Sequence, residues 1–260
     1  MASVIIELSD LLQEVVAMFT VETVLASLKA SFAYCLFCYV LHAIFGWMVN
    51  RISDTLASKD IKRQTASRAV SAIHAVIMFS LTAYYWLRIN PDVVYIKGGA
   101  YENRCIDIML GYLYYDIVQE IKETCQADTI AHHVMGFVSH AFTRFDDCDA
   151  AYFYTMVVYL AEASTPFLHT CWILHTYKLG SHPIFLPLSA ILIILFFVFR
   201  VLVGGYIIWH LWTDTIGWQG KVANEYANTV ILVLFVGLNY FWFFKLIQMA
   251  TGIGKKKKEK

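Results

Sequence analysis

The chain has 260 residues, 59% of them hydrophobic, 16% aromatic and 15% charged, with a mean hydropathy of +0.57. A soluble domain of this length would lack the polar side chains to cover so much apolar surface, which excludes a water-soluble globular protein. Basic and acidic residues number 20 each, and a net charge of zero points to no nucleic-acid partner.

The apolar residues come in blocks of about 20, long enough as helices to cross a hydrocarbon layer roughly 30 Å thick. Backbone groups in lipid must bond within their own segment, so an all-α fold is predicted: a polytopic membrane helical bundle. The first residues, MASVIIELSDLLQEVV, are acidic and lack the basic start of a cleaved signal peptide. They predict an amphipathic lead-in over 1–27. About seven transmembrane helices follow, near 28–49, 69–89, 105–121, 129–143, 151–174, 184–209 and 228–249, within one membrane domain over 28–250. The third and fourth carry Asp107, Asp116, Glu120 and several histidines, and hydropathy alone would miss them. Cys35 and Cys38 form a CLFC inside the first span, where small packing residues are expected.

Positive charge predicts the orientation. With the loop 50–68 in the cytosol, that face and the C-terminal end hold 13 basic residues against 5 on the opposite face. The tail 251–260 is then cytosolic. Its last residues, KKEK, resemble a dilysine retrieval signal of endoplasmic-reticulum membrane proteins, which makes retrieval machinery an expected partner. A generic basic flank against anionic lipid is the alternative.

Ionisable side chains in the bilayer interior cost several kcal/mol unless they face a cavity or a partner, so the buried polar set marks the expected site. The second span carries Arg68, Ser71 and His74 on one stripe. The third carries Asp107, Asp116 and Glu120. The fourth carries His132, His133, Ser139 and His140, with His133 and His140 nearly eclipsed and His132 about 100° round the helix. Gly136 between them leaves room for a neighbouring helix or a lipid chain. The fifth carries Glu162, Ser164, Thr165 and His169, and the sixth carries Arg200. These stripes can be satisfied together in one polar pocket walled by aromatic residues. Individual interhelical hydrogen bonds of about 1 kcal/mol are the alternative, and suit His42, His74 and His175. Metal binding is not expected, because His132 and His133 diverge and no H-E-x-x-H spacing occurs.

The order RAVSAIHA (68–75), GYLYYD (111–116), DTIAHH (128–133), EASTPFLHTCW (162–172) and FVFRV (197–201) resembles the TLC domain family of TRAM, Lag1-type ceramide synthases and CLN8, and in particular its small TLC domain-containing proteins. The resemblance covers about residues 30–250. It implies a helical bundle in the endoplasmic-reticulum membrane, working in lipid metabolism or homeostasis. In ceramide synthases the histidine pair belongs to the active site, and His132 and His133 match it. The synthases continue into a His-Asp with a further Asp, and the corresponding region of this chain has no His-Asp, while a carboxylate near the pair is present as Glu162.

Two functions are expected in competition. One is acyl-CoA-dependent lipid acyl transfer, with acyl-CoA as co-substrate and no bound cofactor. There His132 or His133 acts as base or acyl acceptor, and Asp116 or Glu162 orients it. Arg68, His74, Ser164, His169 and Arg200 then bind substrate, with Arg68 near a coenzyme A phosphate. The other is non-catalytic lipid binding or sensing that regulates membrane phospholipid composition or client transport.

Overall fold

In the computed structural model, residues 21–52, 57–88, 98–145, 149–213 and 223–251 are described. They form α1 (Val21–Ile52), α2 (Lys59–Arg88), α3 (Ala100–Glu123), α4 (Ala127–Phe145), α5 (Asp149–Val158), α6 (Thr165–Thr176), α7 (Phe185–Phe196), α8 (Val203–Thr213) and α9 (Ala223–Thr251). A 3-10 segment, Tyr159–Ser164, joins α5 to α6, and a π segment, Phe197–Leu202, joins α7 to α8. The result is a bundle of seven rods, an all-α membrane protein as the sequence predicts. Most of the lead-in (residues 1–20) and nearly all of the tail, with KKEK, lie outside the described residues.

Four rods are long and apolar enough to cross a membrane: α1, α2, the α7–α8 rod and α9. The outward faces of α1 and α9 are studded with exposed residues such as Phe32, Trp47, Val230 and Phe244, which suits contact with lipid. The other three rods carry the acidic residues predicted for the site and the histidine pair, while α2 and the π segment add Arg68 and Arg200. Among them α3 is the central helix, with half of its residues buried against α1, α2 and α4. Hydropathy underrates α3 because protein, rather than lipid, surrounds its Asp107, Asp116 and Gln119.

Close approach to α1 depends on Gly111, where an added Cβ would lie 2.2 Å from the Ser31 carbonyl oxygen. Cys35 and Cys38 pack at the same interface as core residues, beside Met109 and Tyr112. Toward the other end of this layer, Arg144 donates through Nε to Asp107 Oδ1 at 2.9 Å, and Ser27 donates to the same oxygen. Asp107 is therefore neutralised pairwise and takes no part in a shared pocket.

Helices overrun the predicted spans. Lys59 to Arg68, expected as loop, already form nearly three turns of α2, with Thr65, Ala66 and Ser67 buried. Their polar outer face lowered the hydropathy without ending the helix.

Two local devices shape the bundle. Cys125, at φ 52°, closes α3: the Thr124 and Cys125 N–H groups both donate to the Glu120 carbonyl, at 3.1 and 2.8 Å. This short turn makes α3 and α4 an antiparallel pair. The second device is Pro166, which has no N–H to give the Glu162 carbonyl four residues back. The Thr165 N–H bonds that carbonyl instead, three residues apart, and the chain tightens into the 3-10 segment.

Candidate functional site

Asp116 and His133 flank the α3–α4 turn at nearly equal depth. Asp116 stands eight residues before Thr124 and His133 seven after Gln126, about 12 and 10 Å along their helices. The antiparallel pair therefore brings them face to face, and His133 Nε2 lies 3.1 Å from Asp116 Oδ2. Ser71 donates to the other carboxylate oxygen at 3.5 Å. A carboxylate accepts, so Nε2 carries a proton, and in that tautomer of the imidazole the lone pair lies on Nδ1. That Nδ1 is buried without a hydrogen-bond partner.

His132 turns the other way, as its position on the helix requires. Its ring stacks on Phe235 at 4.3 Å and sits 4.8 Å from Trp242, both on α9. Its Nδ1 is also buried and unpartnered. The pair is thus asymmetric: a carboxylate orients His133, and aromatic rings hold His132.

Both rings line a cavity of about 410 Å³. Its wall includes Arg68, Asp116, Glu162, His169 and Arg200 from α2, α3, the 3-10 segment, α6 and the π segment. One end reaches the surface beside exposed Gln126 and Met249; the other ends among His140, Val158 and Tyr159. Carboxylates at the mouth have partners of their own. Glu123 lies 3.7 Å from Arg63, Asp128 lies 3.5 Å from Lys245, and Glu120 accepts from Thr124.

Two guanidiniums in the wall form no ion pair among the described residues. Arg68 donates to His169 Nδ1 at 3.3 Å and lies 4.1 Å over the Trp172 ring. Arg200 donates to Ser164 Oγ at 3.0 Å, Asn239 Oδ1 at 3.0 Å and Thr165 Oγ1 at 2.9 Å. These neutral acceptors fix its position and leave two of its five N–H groups uncommitted. The π segment aims it, since the Val203 N–H bonds the Val198 carbonyl five residues back and re-phases the helix at Arg200. Two backbone irregularities therefore meet at one contact, the Ser164–Arg200 bond. Glu162, on the 3-10 side, lines the same cavity, and its carboxylate makes no hydrogen bond among the described residues.

Two candidate residues stand outside the lining. Ser164 is buried behind Arg200 and acts by holding it. His74 is buried between α1 and α3, 3.1 Å from the Tyr34 hydroxyl and stacked on Tyr112 at 3.7 Å, so it packs the wall from behind. The expected substrate contact at His74 is replaced by this packing role, the alternative already open in the sequence. Sequence reasoning missed Asn239, Phe235 and Trp242. An amide within an apolar span and two aromatics seven residues apart were the available signals. Gly136 faces Leu113 of α3, where an added Cβ would meet Leu113 at an ordinary 3.5 Å, so close helix approach does not depend on it. No group of three His, Cys, Asp or Glu suited to a metal ion occurs among the described residues.

Comparison with curated protein sequences returns no match. A family model does match: the TLC domain, over residues 64–248, which takes in most of α2, α3 through α8 and most of α9, with His132, His133, Asp116, Glu162, His169, Arg68 and Arg200 of the cavity wall. The chain is a multi-pass membrane protein with a lipid-related function, and it belongs to the TLC domain family.

Proposed function

We propose that the cavity catalyses transfer of a fatty acyl group from a thioester, with acyl-CoA as donor, to the hydroxyl or amine of a membrane lipid. The observation that carries this is the His133–Asp116 pair at 3.1 Å, with the opposite ring nitrogen bare and buried in the cavity wall. A carboxylate that fixes the tautomer and stabilises the imidazolium is what a general base requires.

In this scheme Nδ1 of His133 takes the proton of the acceptor O–H or N–H as that atom attacks the thioester carbonyl. The tetrahedral oxyanion collapses, the carbon–sulfur bond breaks, and the proton passes to the leaving thiolate. Arg200, with uncommitted N–H groups and no carboxylate in direct contact, although Glu162 acts on it from the same wall, is the buried cation available to negative charge formed in the cavity. Arg68, nearer the mouth, is available to a phosphate of the donor. The charge bias of the sequence predicts a mouth on the cytosolic side, which supports entry of a water-soluble thioester there. Endoplasmic-reticulum residence and retrieval through KKEK belong to the same proposal.

Non-catalytic lipid binding draws support from His132, whose ring lies among Phe235 and Trp242 with no carboxylate to orient it. The two functions separate in one experiment. Purified protein in lipid nanodiscs is given radiolabelled acyl-CoA and a panel of lipid acceptors, beside His133→Ala. Label appearing in lipid with the wild type and lost with His133→Ala supports transfer. Lipid retained through purification, with no label transferred by either protein, supports binding alone.

A further inference from the structure

The inner end of the cavity is polar, and the transfer chemistry does not use it. His140 lies seven residues beyond His133 on α4, on nearly the same stripe and about 10 Å deeper. Its Nδ1 is paired with the Gly136 carbonyl, which can only accept, so Nδ1 carries the proton and Nε2 presents a lone pair. That Nε2 is buried and has no partner. The Tyr159 ring stacks on His140 with centroids 5.3 Å apart, and its hydroxyl is likewise buried and unpartnered. Both residues line the cavity; His140 is 9% exposed and Tyr159 1%. Met109, Leu113 and Val158 line the same cavity and offer no polar atom of their own side chains.

An acceptor and a donor left bare at the inner end of the cavity match one chemical group, a hydroxyl. It donates to His140 Nε2 and accepts from Tyr159 Oη. Left unmade, such bonds cost each buried group its lost solvation. We propose that this end is a second subsite that recognises a hydroxyl carried on the apolar portion of the lipid ligand, near mid-chain, while the reacting head lies beside His133. The subsite rests on the cavity's holding lipid, and on the transfer proposal only for which end of the lipid lies where.

The test measures binding, so it does not depend on turnover. Nanodisc-embedded protein is titrated with radiolabelled stearate, stearate hydroxylated at mid-chain, and stearate hydroxylated beside the carboxyl. Two neutral hydrogen bonds predict a preference of about tenfold for the mid-chain hydroxyl over both others. Tyr159→Phe keeps the ring stack and removes one oxygen, and reduces the preference to about threefold; adding His140→Phe abolishes it. Equal affinity for the three lipids overturns the proposal and leaves the two atoms to a bound water. A preference that survives both substitutions overturns it too, as does a protein that binds none of the lipids. Preference without acyl transfer to any acceptor sinks the transfer chemistry and leaves the subsite standing. Transfer lost with His133→Ala, but with no preference, does the reverse.

Discussion

Asp116→Asn exchanges one oxygen for an NH2 at nearly constant shape and removes the charge opposite His133. The Nε2–Oδ2 separation is 3.1 Å, and the charge centres of an imidazolium and a carboxylate in such contact lie about 4 Å apart. At an effective dielectric constant of about 20 their attraction is about 4 kcal/mol, which is lost when the ring takes up a proton in the transition state. The amide oxygen can still accept from Nε2–H, and a neutral bond returns about 1 kcal/mol. The net loss of about 3 kcal/mol predicts a fall of about 100-fold in the rate of transfer. Asp116→Ala, which also frees the ring to adopt the other tautomer, falls further. The assay follows labelled acyl groups from acyl-CoA into lipid under single-turnover conditions, with thermal unfolding of each variant as the control for folding. Activity of Asp116→Asn within about threefold of wild type, in a protein that unfolds at the same temperature, would refute His133 as an Asp116-oriented base.

The remaining predictions concern the scaffold. Gly111→Ala drives a methyl group against the Ser31 carbonyl, backbone against backbone, and is expected to destabilise by about 3 kcal/mol or to part α1 from α3, read as a lowered unfolding temperature. Arg144→Ala strands the buried Asp107 carboxylate and costs about 3–5 kcal/mol, much of it recovered in the double variant with Asp107→Leu. Pro166→Ala restores an N–H for the Glu162 carbonyl, so the 3-10 segment relaxes towards α-helix; stability rises by about 1 kcal/mol while transfer falls, because Glu162 and Ser164 rotate away from Arg200. Arg200→Lys cannot reproduce three separate bonds from one planar fork, and both lipid retention and unfolding temperature drop.

Much of the site was legible in the sequence because burial of polar groups in lipid is costly enough to need a common explanation. Asp116, His133, Glu162, His169 and Arg200, on five different elements, do line one cavity. The depth match of Asp116 and His133 follows from counting residues on either side of the short turn at 124–126, given that the two helices run antiparallel. What was hidden were the partners. Nothing in the pattern tells that Asp107 meets Arg144 rather than a histidine, since Arg144 falls at a predicted span edge and pairs across a helix interface. His74 shares a stripe with Arg68 and Ser71, yet it is buried behind Tyr112, because α1 covers that face of α2. The π segment at Arg200 has no proline to announce it, whereas Pro166 did mark the 3-10 segment. The extent of α2 was also misjudged, because a helix that leaves the membrane keeps its hydrogen bonds and changes only its outer face.

The central claim is that lipid enters the cavity beneath His132 and His133. Wild-type protein in nanodiscs, incubated with a photoreactive, radiolabelled acyl-CoA, then illuminated and digested for peptide mapping, tests it most directly. Label on α4 between 132 and 140 and on the facing stretch 158–172, displaced by excess unlabelled acyl-CoA, is the predicted result. Label confined to the outward faces of α1 and α9, undiminished by competitor, would contradict it.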